Sequence, residues 1–144
     1  MRFMVIVKAS EASENGVLPT QQELAEMGAY NDELVKSGVM LAGEGLHPSS
    51  KGVRLRYDKD GRSTVVDGPF AETKELIAGY WILQVSSREE VIEWMRKAPF
   101  RGGEVEVRRF HEAEDFGEAF TPELREKEEQ LRAQAAQSAA QQGA

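Results

Sequence analysis

Two stretches of this chain are apolar on both alternating faces, and they restrict its fold more than any other feature. They are residues 2–8, with Phe3-Met4-Val5-Ile6-Val7 at the centre, and Ile77 to Val85, with Tyr80-Trp81-Ile82-Leu83 at the centre. Successive side chains of an extended strand point to opposite sides. A strand apolar on both sides must be covered on both.

The segments between them supply one of the covers. Thr20-Gln21-Gln22-Glu23 has the pattern of a capping box and opens a helix that runs to about Ser37 and stops at Gly38. Leu24, Met27 and Leu34, with Tyr30 and Val35, make its apolar stripe. Ser87-Arg88-Glu89-Glu90 opens a second helix, with Val91, Trp94, Met95 and Ala98 on one side and Pro99 as its stop. Ser10 to Pro19 reads as a polar loop. Val39-Met40-Leu41-Ala42 reads as a strand ending at Gly43-Glu44-Gly45, and Glu104 to Arg108 as a last, alternating strand. Val53–Tyr57 and Ser63–Val66 flank Asp58-Lys59-Asp60-Gly61, the signature of a hairpin.

The order is strand, helix, strand, hairpin, strand, helix, strand. Without the hairpin this is the split βαβ pattern of an α+β, ferredoxin-like fold. Two helices cover one face of its antiparallel sheet. The economical cover for the other face is a second copy of the same sheet, so a homodimer of the dimeric α+β barrel kind is expected. The alternative is a monomer in which the hairpin and the tail fold over that face.

Residues 1–110 form the α+β domain in this reading, and residues 111–144 an acidic helical tail. The first carries 15 Lys/Arg against 17 Asp/Glu, the second 3 against 8. Thr121-Pro122 opens the tail helix. Glu123 with Lys127 and Glu128 with Arg132 are favourable pairs along it, and fraying is expected after Arg132. Phe110, Phe116 and Phe120 are the residues to pin the segment to the body or to a partner subunit.

The balance of charge argues against nucleic acid and anionic membranes, which need clustered positive charge. No apolar run is long enough to span a bilayer, and the N-terminal segment lacks the form of a signal peptide. There is no cysteine, which removes disulfides, thiolate catalysis and cysteine-ligated metals. A cytoplasmic protein is expected, with no metal and no cofactor. Only two histidines occur, His47 and His111, and neither has metal-site spacing. There is no Gly-x-Ser-x-Gly elbow and no phosphate loop.

Two places remain for chemistry. In Ala42-Gly43-Glu44-Gly45-Leu46-His47-Pro48 a carboxylate sits between glycines at a strand end, where a ligand or another backbone can approach closely. A bend at Gly45 and Pro48 would let Glu44 orient His47 as a base. The plainer reading has Glu44 satisfied by an arginine or by backbone N–H groups, and His47 in a surface loop. In Asp67-Gly68-Pro69-Phe70-Ala71-Glu72-Thr73-Lys74-Glu75, Asp67 is placed for an Asx-type turn stiffened by Pro69. Asp67, Glu72 and Lys74 would line a pocket walled by Phe70, or simply decorate a rigid connection.

Val66-Asp67-Gly68-Pro69-Phe70-Ala71-Glu72-Thr73-Lys74-Glu75 resembles the signature of the DGPF-domain proteins, a branch of the YCII-related family. Leu41 to Pro48 and Ile77-Ala78-Gly79-Tyr80-Trp81 are similar to further family segments, so the likeness covers roughly residues 1–110. It implies a ferredoxin-like, dimeric α+β barrel in a bacterial protein. It also implies an association with extracytoplasmic-function sigma factors and little about activity. The His–Asp pair suggested for the wider group has its histidine on the first helix, and residues 20–37 contain none. His47 occupies a different position.

Three readings stay open at this point. One is a small-molecule-binding or regulatory module that acts through a partner, with the tail as contact. Another is an enzyme with His47 or Asp67 as base and Lys74 holding an anion. The third is a purely structural dimer. Glu44, His47, Asp67, Phe70, Glu72 and Lys74 are the ligand-site candidates. An enzyme should show two titratable groups within hydrogen-bond reach in a pocket, and a binding module should show a pocket without that pair. In a structural turn, Asp67 and Glu72 should be spent on local partners.

Overall fold

The computed structural model describes residues 1–143, the Thr73 side chain apart. The chain divides into two compact units, the first Met1–Phe110 and the second beginning at His111.

In the first unit β1 (Arg2–Lys8), β2 (Met40–Gly45), β5 (Ile77–Gln84) and β6 (Val105–Arg109) form an antiparallel sheet in the order β2-β5-β1-β6. The two doubly apolar strands, β1 and β5, lie side by side at its centre, with the helices on one face. With α2 (Gln21–Lys36) after β1 and α3 (Arg88–Arg96) after β5, this is the ferredoxin-like α+β arrangement expected from the element order. β3 (Val53–Tyr57) and β4 (Ser63–Asp67) form a separate two-stranded sheet. Its turn is built as the residues suggest: Asp58 Oδ1 accepts from the Asp60 and Arg62 N–H groups, and Gly61 takes φ 83°.

The core lies between the sheet and the two helices. Phe3 and Val5 of β1 and Trp81 and Leu83 of β5 point into it and meet Tyr30, Leu34 and Val91. Leu34, Leu83, Val5 and Val91 are the largest fully buried side chains. Each such residue contributes roughly 1.5–3 kcal/mol by leaving water.

Several local expectations need correction. The stripe of α2 that reaches the core is Met27, Tyr30 and Leu34; Leu24 and Val35 are 59% and 59% exposed, because the sheet covers only a narrow arc of the helix. The polar loop contains a one-turn helix, α1 (Glu11–Glu14), closed by reciprocal Ser10 and Ser13 caps. β2 continues through Gly45, and the Leu46 N–H still donates to the Ala78 carbonyl. Only half of each expected capping box forms. Thr20 and Ser87 accept from the Glu23 and Glu90 N–H groups, while Glu23 turns to the Thr20 hydroxyl and Glu90 to Ser86.

Tyr30 ties α2 to α3 by donating its hydroxyl to the Trp94 carbonyl at 2.5 Å. Burial, reinforced by Glu33, pushes its phenol up to about 12. A folded-state value above the unfolded one contributes stability that is intact below pH about 10 and is lost as pH rises toward 12. Urea melts between pH 9 and 11.5 should therefore show wild type losing stability faster than Tyr30→Phe. Parallel curves would remove Tyr30 as the cause.

In the second unit α4 (Pro122–Gln142) starts at a Thr121 cap with proline in its first turn. It continues past Arg132 to Gln142 and is exposed apart from the half-buried Arg125; Ala and Gln are good helix formers, and Glu128 pairs with Arg132 at 2.8 Å. His111, Phe116 and Phe120 stack successively before it, at 4.9 and 5.6 Å.

Candidate functional site

The Asp67-Gly68-Pro69-Phe70 segment seats on the turn at Ser49–Lys51. Phe70 N–H donates to Ser49 Oγ at 3.1 Å, and the Ser49 hydroxyl and N–H both donate to the Glu14 carboxylate at 2.5 and 3.0 Å. Gly68 N–H donates to the Gly52 carbonyl, and a Cβ at Gly68 would collide with the Ser49 carbonyl. Glycine is thus required there for close approach. Arg54 lies over the Phe70 ring at 3.8 Å and pairs with Glu72 at 3.4 Å. The Glu72 backbone N–H, then Arg54, hold its carboxyl below the usual carboxylate range.

This network brings Phe70 and Glu72 together and leaves the other candidates apart. Among the described residues the exposed Asp67 carboxylate makes no hydrogen bond or ion pair, so the Asx-type turn does not form; its acceptor role falls to Ser49. His47 and Lys74 are exposed, and neither has a side-chain partner among the described residues. Glu44 pairs in register with Tyr80, across from Ile6 and Glu106, so its side chain stands on the sheet face away from the helices. No hydrogen bond joins Glu44 to His47. Among the described residues no group of three His, Asp or Glu is placed to hold a metal ion.

The built cavity lies on the helix side of the same strand end. A cleft of about 210 Å³ opens between α2 and β2, walled by Val7, Met27, Trp81 and Phe100 and floored by the Gly43–Gly45 and Gly79 backbones. Two glycines make it. A Cβ at Gly43 would stand 2.8 Å from Trp81 Cδ1, and one at Gly79 would stand 2.7 Å from the Glu44 carbonyl oxygen. Their absence lets the indole cross β2 and lets the edge strand close in. Trp81 Nε1 donates to Asn31 Oδ1 at 2.9 Å, which fixes the indole and leaves the Asn31 amide nitrogen as a donor at the wall. Tyr30 and Phe100 meet Trp81 edge to face at 6.0 and 5.9 Å. A second hollow of about 540 Å³ adjoins it at Val7, Ala78 and Phe100 and is bordered by Glu23, Glu26 and Arg101.

Asn31, Phe100 and the Glu14–Ser49 clasp carry no motif and escape sequence reasoning. Gly79, a lone glycine inside a strongly apolar strand, is the readable signal of a close approach.

An uncharacterized protein of Rhizobium meliloti (strain 1021) is 29% identical over 76 residues, which are 53% of this chain and 60% of that protein. This chain therefore spans less than two thirds of that relative. Among solved structures, 5-chloro-2-hydroxyhydroquinone dehydrochlorinase from Burkholderia phenoliruptrix AC1100, in complex with 2,5-dihydroxybenzoquinone, aligns with TM-score 0.40 and 16% identity, over 77% of this chain and 94% of the other. The model of the YCII-related domain matches residues 1–114, the whole of the ferredoxin-like unit, and the chain belongs to that family.

Proposed function

We propose that this chain is a small-molecule-binding module that works as a cytoplasmic homodimer, with its ligand in the cleft between α2 and β2. One observation carries the reading: the cleft joins aromatic and aliphatic walls to a single outward amide, with no pair of titratable side chains bonded to each other in it among the described residues. Acid–base catalysis needs such a pair within reach. A binding site needs shape, apolar walls and a few placed donors. An apolar cavity of roughly 150 Å³ accepts benzene, so the cleft suits one neutral, planar ring with a small acceptor for Asn31.

Dimerisation is supported by the sheet face away from the helices. Register puts Met4, Ile6, Ala42, Tyr80 and Ile82 there, with Glu44 and the Lys8–Glu106 ion pair at one end and Arg108 toward the other. A two-fold axis lying in the plane of this face and perpendicular to its strands sets the Glu44 end of each copy against the Arg108 end of the other, so the surface is complementary to itself. Regulatory output through a protein partner, of the sigma-factor kind that the family resemblance implies, is the finer part of the reading; the acidic balance of residues 111–144, with 3 Lys/Arg against 8 Asp/Glu, supports it.

Trp81 and Trp94 are the two tryptophans, so Trp94→Phe isolates the fluorescence of Trp81. Titration with phenol, p-cresol and indole should quench that signal and raise the melting temperature by mass action. Phe100→Ala should weaken binding about tenfold, roughly 1.4 kcal/mol, while His47→Ala and Asp67→Asn leave it unchanged. Binding lost in His47→Ala or Asp67→Asn but kept in Phe100→Ala would return the site to the Asp67 turn. No binding by any of the three probes would count against the ligand class.

A further inference from the structure

The β3–β4 hairpin is held at its root and on one face only. A two-stranded sheet standing by itself in water is marginal. The root is secured by the Glu14–Ser49–Phe70 chain of hydrogen bonds, and one face by Arg54 lying over Phe70. The pairings Val53↔Asp67, Leu55↔Val65 and Tyr57↔Ser63 put Val53, Leu55, Tyr57, Val65 and Asp67 together on the other face. The four apolar residues there are 52%, 49%, 72% and 62% exposed. An apolar patch on a strand pair of this kind marks an interaction surface.

The same chain has a second apolar surface, the sheet face away from the helices, with Met4, Ile6, Tyr80 and Ile82 half-buried. The hairpin leaves the sheet after Gly45 and returns at Ile77, at the end that bears Glu44. In the two-fold pairing proposed above, that end of one chain faces the basic end of the other. Asp67, a carboxylate without a partner among the described residues, then stands opposite the end that carries Arg108, a guanidinium likewise without one.

We infer that, in the dimer, each β3–β4 hairpin closes over the basic end of the second copy's open sheet face. Val53, Leu55, Tyr57 and Val65 seat against that face, and Asp67 pairs with Arg108 of the partner subunit. The inference rests on the dimer reading and adds a role for the aspartate of the signature turn. That role is a charge at an interface, which fits its exposure and its lack of local bonds. The occupant is a second copy because both apolar surfaces lie on one chain, and the carboxylate and guanidinium left without partners among the described residues, Asp67 and Arg108, belong to the two ends brought together.

The chain has no cysteine, so Leu55→Cys gives a single thiol on the patch. Its reaction rate with 5,5′-dithiobis(2-nitrobenzoate) should fall at least tenfold as protein concentration rises through the dimer dissociation constant measured by sedimentation. Asp67→Arg should raise that constant about tenfold, with Arg108→Asp in the same chain restoring it. A thiol equally reactive in monomer and dimer overturns the hairpin inference and leaves the dimer standing. A wild-type chain that sediments as a monomer at 200 µM overturns both. A dimer that Arg108→Asp does not restore, with the thiol protected, overturns the Asp67 pairing.

Discussion

Gly79→Val should part the sheet at the cleft. A Cβ at Gly79 would stand 2.7 Å from the Glu44 carbonyl oxygen and 3.3 Å from Gly45 Cα, both backbone atoms that cannot swing aside. The strands must separate, and they lose ladder hydrogen bonds as they do. Overpacking costs about 1–3 kcal/mol and each lost bond roughly 1 more, so a loss of about 3 kcal/mol or more is expected in urea melts. Ligand binding should go with it, because β2 is the floor of the cleft. Gly45→Ala is the matched control: its Cβ meets nothing within 4 Å and its φ is not positive. That variant should stay within about 0.5 kcal/mol of wild type. Equal losses in the two would mean that strand propensity, not close approach, explains the glycine at 79.

Ile82→Asp should dissolve the dimer and leave the monomer folded. Ile82 stands in register with Met4 and Ala42 on the open face, away from the core cluster. In a monomer the carboxylate meets water. In a dimer it would be buried without a partner, which costs several kcal/mol. The dissociation constant should rise at least a hundredfold, about 2.8 kcal/mol, with an unchanged far-ultraviolet circular dichroism spectrum. Leu131→Asp on α4 should not alter it. A dimer that tolerates Ile82→Asp would place the contact elsewhere on the chain.

The hairpin and the Asp67 turn show how a motif and a cavity can separate. The Asp67–Glu75 string is the most recognisable part of the sequence, and most of its bonds serve to brace the chain. Phe70 and Glu72 are held by Arg54, and Phe70 N–H by Ser49. The cavity with built walls is assembled instead from Trp81, Phe100, Met27 and Asn31, which lie far apart in sequence and belong to no motif.

Local pattern was enough for the elements. The apolar runs at 2–8 and 77–85 became strands, the Thr20 and Ser87 caps started the two main helices, and Asp58 to Gly61 closed the hairpin, because each depends on interactions within a few residues. The series of elements pointed to a ferredoxin-like fold class, while the strand order β2-β5-β1-β6 was decided only by the long-range pairing of the strands. The tertiary structure alone also decided which side chains meet. Glu44 and His47 are three residues apart and do not join, because β2 runs on through Gly45 and turns Glu44 toward the open face. Glu14 and Ser49 are 35 apart and bond twice. Spacing along the chain fixes which face a residue takes within its own element; only the packing of elements against one another fixes what it finds there.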